Sequence, residues 1–342
     1  MDYRRTRPGK YMPTGFAVIA LMVTLSCPAF SADNRSPDPE DLVYSEEFAL
    51  SPAGKLSIDV DDMDIRVETG TGAPGRVEVY ITGRDRDKAE EWLERSKFEA
   101  RLDGNHLLVQ SRDPDSAIFG FGNLFDNMRV LAVVSIPKQI AIDIRTEDGD
   151  VRIGEIKGDA RVITEDGDLD LAGIHGGTIE IDSEDGDIDA ESLTADDVTI
   201  STEDGDVDID VIQSEGLRVS SSDGDIKLAK IDGGVTFVET SDGDIEFAVS
   251  GTRLKVRCSD GDLTATLLSG IEADIKTSDG DVDLYIPKGT AADIDLRGGS
   301  VSVRDVSVKG SVTDETIQGS INEGGPLIRV RTDDGSIRIR ER

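Results

Sequence analysis

Across residues 146–342, apolar residues fall at alternate positions on both sides of a recurring Asp-Gly-Asp triplet. Counted from each central Gly, positions −7, −5 and −3 read Ile142, Ile144, Thr146, then Ile179, Ile181, Ser183, then Val198, Ile200, Thr202, and later Ala273, Ile275, Thr277. Positions +2, +4 and +7 read Val151, Ile153, Ile156, then Leu169, Leu171, Ile174, then Val207, Ile209, Ile212, then Ile226, Leu228, Ile231. A period of two predicts strands with one buried face. The triplets carry their Gly at 149, 167, 186, 205, 224, 243, 261 and 280, at intervals of 18 or 19, with degenerate copies at Gly299, Gly319 and Gly335. Such a period is the signature of a solenoid. The Asp-Gly pair predicts a turn, with Gly expected to supply positive φ. A second corner follows at Gly158, Gly176-Gly177, Gly216, Gly233-Gly234 and Gly251. Each repeat therefore has two short strands and two corners. An antiparallel meander would alternate in the same way, but the repeats show no odd–even difference, which favours parallel coils. The expected fold is all-β: a single-stranded parallel β-helix of about eleven coils. At ~4.8 Å per coil it forms a rod of roughly 50 Å.

Upstream the pattern changes. Lys55–Val60, Asp64–Val67, Val77–Ile81, Leu107–Val109 and Val130–Ile136 alternate as strands, while Asp87–Lys97 reads as a helix. Asp87 and Glu90 make a capping box, and Ala89, Trp92 and Leu93 share one helical face. A solenoid needs its open core end covered, and the helix bearing Trp92 is the candidate cover. Asp113–Met128 holds Phe119, Phe121 and Phe125 among Gly, Asp and Asn. It reads either as a loop folded over the cap, the favoured view, or as a protruding contact loop.

The first residues read as an export signal. Arg4, Arg5, Arg7 and Lys10 precede an apolar run, Phe16–Ser26, too short to span a bilayer as a helix. Ala29 and Ser31 supply the small residues before a cleavage point after Ser31 or Ala32. A retained membrane anchor and lipidation at Cys27 are the alternatives. The expected segments are a signal peptide at 1–31, a disordered lead at 32–44, a β cap region at 45–145 with helix 87–97, and β-helix repeats at 146–342. No later stretch is long and apolar enough to span a membrane as a helix.

The chain has 71 acids against 37 bases, a formal charge of −34. Removing residues 1–31 leaves −37. Nucleic-acid binding is disfavoured, because phosphate contact needs a basic face. A hydrophobic content of 37 % is too high for a disordered acidic chain. Two Cys and two His are too few for a Cys/His zinc site or a disulfide framework. His106 on a strand and His175 beside a corner have no nucleophile near them in sequence. Cys258 stands at the −3 position that Thr or Ser holds in most other repeats, so an inward, inert thiol is expected. Val162–Gly216 contains 19 acids and no Lys or Arg. Asp168 and Asp170, Asp187 and Asp189, and Asp206 and Asp208 fall on the outward face of successive coils. Carboxylates ~5 Å apart in water repel by ~0.8 kcal/mol. These columns read as a solvated face screened by salt, with Ca²⁺ sites as the alternative. No catalytic, cofactor-binding or metal residue is assigned, and no cofactor is expected.

The opening Phe48-Ala49-Leu50 … Gly54-Lys55-Leu56-Ser57-Ile58 and the step Ser135-Ile136-Pro137-Lys138 lead into serial Asp-Gly-Asp turns. They end in Gly319-Ser320-Ile321-Asn322-Glu323-Gly324-Gly325 and Thr332-Asp333-Asp334-Gly335-Ser336-Ile337. In this order, over roughly residues 45–342, they resemble the bacterial "putative adhesin" proteins, a β-strand-repeat domain family of unknown function. The resemblance implies a β-helix in the cell envelope or outside the cell and carries no catalytic residues. The expected function is therefore an exported, non-catalytic envelope or surface protein, an adhesin or scaffold with a protein or polysaccharide partner. A cation-responsive or envelope-stress module is the alternative, and a polysaccharide-active enzyme the weakest reading, since such enzymes pair Asp with Arg or Lys in a groove.

Overall fold

The computed structural model describes residues 37–70, 74–83, 86–112 and 128–342. The expected signal peptide, Cys27 and the stretch with Phe119, Phe121 and Phe125 lie outside the described residues. Residues 38–342 form one compact unit. Within it the strands pair mainly in parallel. One ladder of inward positions runs Ile142, Ala160, Ile179, Val198, Leu217, Thr236, Leu254 and Ala273, one residue per coil. A second runs Val151, Leu169, Ile188, Val207, Ile226, Ile245, Leu263 and Val282. Both ladders contribute to one hydrophobic core, and every inward residue predicted above is buried. The pleat leaves no other choice, because a one-residue slip would turn each Ile outward.

The coils do not begin at residue 146. The first strands are β1 (Leu42–Phe48), β2 (Gly54–Asp59), β3 (Asp64–Gly70) and β4 (Gly75–Thr82). Helix α1 (Arg86–Arg95) follows, then β5 (Glu99–Asp103), β6 (His106–Gln110), β7 (Arg129–Pro137), β8 (Ile140–Arg145) and β9 (Val151–Ile153). β2 pairs in parallel with both β6 and β8, and β3 with both β7 and β9. The β2–β3 coil is thus first in sequence but second in the stack, with β6–β7 outside it. β4 and β5 close this end by antiparallel pairing with β7 and β6, and β1 pairs with β4. Because β1 starts at Leu42, after a 3-10 turn at Pro39–Asp41, the expected disordered lead is replaced by paired backbone from Leu42 onward. Helix α1 buries Ala89 and Trp92. Asp87 lies inside its first turn rather than capping it, and Glu90 accepts from Arg86 Nε at 2.9 Å.

The other end repeats the device. The coil made of Leu327–Arg331 and Ser336–Glu341 pairs in parallel with Glu272–Lys276 and Val282–Ile286 on one side. On its other side it pairs in parallel with Ala292–Arg297 and Ser300–Arg304. A later segment is therefore inserted between two earlier coils. The strand Thr316–Ile321 pairs antiparallel with Ala292–Arg297 and with Val308–Val312. Gly319, counted above as a degenerate repeat, therefore belongs to a closing hairpin and not to a coil turn.

Candidate functional site: the carboxylate face and its turns

The Asp-Gly-Asp turns use their residues for stacking. Among the described glycines only Gly83, Gly104, Gly289 and Gly324 have positive φ, so the triplet glycines are not there for left-handed backbone. They are there because the coils approach so closely. A Cβ on Gly205 would lie 2.1 Å from the Gly186 carbonyl oxygen, and the same contact recurs at 2.0 Å from Gly224 to Gly205 and from Gly243 to Gly224. The buried −3 hydroxyls serve the same turns. The amides of Gly167, Gly205 and Gly224 donate to Thr164, Thr202 and Ser221 Oγ at 2.9–3.1 Å, three residues back. Thr202 and Thr277 in turn donate to the carbonyls of Glu184 and Ser259 one coil earlier.

The second Asp of each triplet ties successive coils together. Asp168 N–H donates to Asp150 Oδ1, Asp187 N–H to Asp168 Oδ1, Asp206 N–H to Asp187 Oδ1, and Asp225 N–H to Asp206 Oδ1, at 2.8–3.2 Å. The chain of bonds continues through Asp244, Asp262 and Asp281 to the amide of Ser336 in the inserted coil. An acceptor that is itself charged strengthens such a bond. These carboxylates are consequently part of the fold.

The Asp two residues further on stands free of the turn. In register, the outward column reads Arg152, Asp170, Asp189, Asp208 and Lys227. Arg152 Nε meets Asp170 at 2.9 Å and Lys227 Nζ meets Asp208 at 2.5 Å. Asp189 lies between the two acids with no cation in ion-pair distance among the described residues. Burial, then Asp208 and Asp170, push its carboxyl above the ordinary range. Glu184 is raised too, first by Glu165 and then by burial and Glu203, and Glu147 mainly by burial, with Asp61 and Glu165 adding to it. Like charges thus crowd along the columns, but among the described residues no group of three or more His, Cys, Asp and Glu is placed to hold a metal ion.

The remaining singled-out residues are structural in their contacts. His106 Nε2 lies 2.9 Å from Ser57 Oγ, joining two coils at the capped end. His175 carries the carbonyl that receives the Gly158 amide at 2.8 Å. Cys258 is buried, its Sγ 3.2 Å from the Gly261 carbonyl oxygen, and burial raises its thiol pKa. One outward face also carries a cation–aromatic cluster that the repeat pattern does not single out. Arg218 and Lys255 lie 4.4 Å and 5.0 Å from the ring centre of Phe237. The three are register neighbours on one outward face. The period-two pattern places Phe237 outward, so the signal was present, but a lone aromatic between cations was hidden within the repeats. A shallow depression lined by Arg253, Leu254, Lys255, Glu272 and Asp274 adjoins it.

Ladders of stacked, flat-faced coils with their turn carboxylates used internally define an all-β solenoid-like repeat protein. The chain belongs to the Toastrack DUF4097 family, whose model matches residues 53–251 and 237–340. Among solved structures it is similar to a "putative adhesin" from Parabacteroides merdae, with 12 % identity over 90 % of this chain and 98 % of that one, at a TM-score of 0.38. It is also similar to a "putative lipid binding protein" from Parabacteroides distasonis, with 13 % identity over 86 % and 96 % and a TM-score of 0.36. A "putative cell adhesion protein" from Clostridium sporogenes shares 12 % over 87 % and 98 %, at a TM-score of 0.19. No curated protein matches the chain. Among the described residues no helix is long and apolar enough to cross a membrane.

Proposed function

We propose that this chain is an exported, non-catalytic protein of the bacterial cell envelope or surface, acting as an adhesin or scaffold through its outward sheet faces. The observation that carries this reading is the use of the triplet carboxylates as acceptors for the next coil's amides. The residues most abundant in the repeats are committed to holding coils together, and the remaining acids stand on open faces. General acid–base work needs a carboxyl within hydrogen-bond reach of a held substrate, and flat faces suit extended macromolecular contacts instead. The same reading takes the stacked strands as one single-stranded β-helix. The basic stretch and apolar run at Arg4–Ser26 support export. The partner is a surface or envelope protein or polysaccharide.

A second reading, a cation-responsive or stress-associated module, draws on the unpaired Asp189 between Asp170 and Asp208. Fractionation of native cells into periplasm, membrane and medium tests export, and a cytoplasmic location overturns it. A deletion strain assayed for adhesion and for envelope-stress induction separates the two roles.

A further inference from the structure

The inserted coil, residues 327–341, completes a slot that the rest of the chain builds first in sequence. Its walls are Glu272–Lys276 and Val282–Ile286 on one side, and Ala292–Arg297 and Ser300–Arg304 on the other. The slot is specific. Ile328, Val330, Ile337 and Ile339 fill its core and are buried. Gly335 stacks on Gly280 so closely that a Cβ would lie 2.0 Å from the Gly280 carbonyl. The Ser336 amide donates to Asp281 at 2.7 Å. Charge selects the same segment. Arg338 reaches Asp281 at 2.9 Å and Asp283 at 3.3 Å from the first wall. Arg329 and Arg331 reach Asp295 of the second wall at 3.3 and 3.4 Å. The acid-rich coils of 162–216 offer no arginine at all. Asp281 and Asp295 are held below the usual carboxylate range, Asp281 first by the Ser336 amide and Asp295 first by Gln318, each with help from these arginines.

The insert is joined to the hairpin before it by Asn322–Pro326, where Asn322 and Gly324 take positive φ. Nothing in the slot distinguishes an insert on its own tether from the same insert on another chain.

We propose that the slot is a self-recognition site: it takes residues 327–341 of a second copy in the same parallel register, and two chains that exchange these coils form a reciprocal dimer. The occupant is fixed by the arginine pairs to Asp281, Asp283 and Asp295, added to apolar, glycine and amide contacts of the kind that recur along the interior coils. The tethered copy is favoured at low concentration, since a short tether supplies an effective concentration in the mM range. Exchange therefore belongs to folding at high local concentration, where the slot is still open.

The test uses full chains carrying Cys258→Ser. Lys276 and Arg331 are register partners across the slot wall, and both are exposed. Lys276→Cys and Arg331→Cys chains are unfolded together, refolded at rising concentration and oxidised. The expected result is a disulfide-linked heterodimer that grows with concentration. It should exceed by about tenfold a control pairing of Lys230→Cys with Arg331→Cys as concentrations approach the mM range of the tether. Yield no higher than the control at every concentration overturns the proposal. The unsubstituted chain, refolded over the same range and then diluted, should show a dimer by light scattering that persists after dilution. Monomer throughout also overturns it.

Discussion

The Asp187 carboxylate accepts the backbone N–H of Asp206, one coil further on, at 2.9 Å. The two side chains repeat the same bond on either side of themselves, so one residue type both ends a turn and ties it to the next. Asp187→Ala should cost about 1 kcal/mol in urea unfolding, the net worth of one such bond. Asp187→Asn keeps the accepting oxygen and removes a charge from a repelling column, so it should fall well short of that loss. Equal stability of Asp187→Ala and the unsubstituted chain would show that the bond does not hold the coils.

Gly205 tests the stacking distance. Gly205→Ala places a methyl 2.1 Å from a backbone oxygen that cannot move aside, and should cost about 3 kcal/mol or more. Gly270 has nothing within 4 Å of its would-be Cβ. Gly270→Ala should therefore stay within about 0.5 kcal/mol. A mild effect at Gly205 in the same assay contradicts the stacked turns.

Ile200 is fully buried in the inward ladder, so Ile200→Ala should cost about 2–5 kcal/mol. Cys258 sits in the hydroxyl column of the same turns. Its thiol should react slowly with a thiol reagent until the chain unfolds. Cys258→Ser should be nearly neutral, because Ser183 and Ser221 already fill equivalent places and receive their glycine amides at 3.2 and 2.9 Å. Native-state labelling at the rate of a free thiol would place the side chain outside.

Stability should depend on pH in two opposite steps. Asp189, Glu184 and Glu147 have folded pKa values raised above their unfolded ones. The folded state then binds more protons, so stability rises as pH falls from 7 toward their raised values. Asp59, Asp281 and Asp295 have lowered values, by the hydrogen bond from Arg112, the amide of Ser336 and Gln318 respectively. Their contribution is full above the unfolded carboxylate range, about pH 4, and is lost as pH falls through their folded values. The optimum is expected on the acid side of neutrality. Asp189→Asn should stabilise by a few tenths of a kcal/mol at pH 7 and flatten the rise seen as pH falls toward the carboxylate range. A rise of the same size in that variant removes Asp189 as its source.

Salt should act in the same direction. Shortening the Debye length from ~30 Å at 0.01 M to ~8 Å at 0.15 M screens the acid columns. Stability is expected to climb with NaCl, and Ca²⁺ and Mg²⁺ at equal ionic strength should act alike. Saturable Ca²⁺ binding in calorimetry, abolished by Asp187→Asn with Asp206→Asn, would contradict the solvated-face reading.

Much of this architecture is written in the spacing. The inward positions from Ile142 to Ile275 follow from alternation alone, and the place of Cys258 follows from counting back from Gly261. The reason for the glycines does not, since an Asp-Gly pair looks the same whether Gly is needed for φ or for the absence of Cβ. The insertion of residues 327–341 is hidden for a similar reason. Thr332-Asp333-Asp334-Gly335 has the form of one more repeat, and local pattern says nothing about which coil lies beside it. Arg329 and Arg338, in register with Asp274 and Asp283 of the coil beside them, are the trace of that placement. The coil at β2–β3 is masked by Met63, which takes the turn position held elsewhere by glycine.

The Asp, Gly and Thr columns have a consequence for how such chains can change over generations. In the middle of the stack every turn residue meets only its equivalent in the neighbouring coil, so a unit of 18 or 19 residues can be duplicated or deleted and the flanking columns rejoin without a mismatch. Near the two ends that freedom is absent, because the β2–β3 coil and the coil of residues 327–341 are each wedged between partners distant in sequence. Length in this lineage should therefore vary in whole-coil steps within the interior, while the interlaced ends are inherited intact.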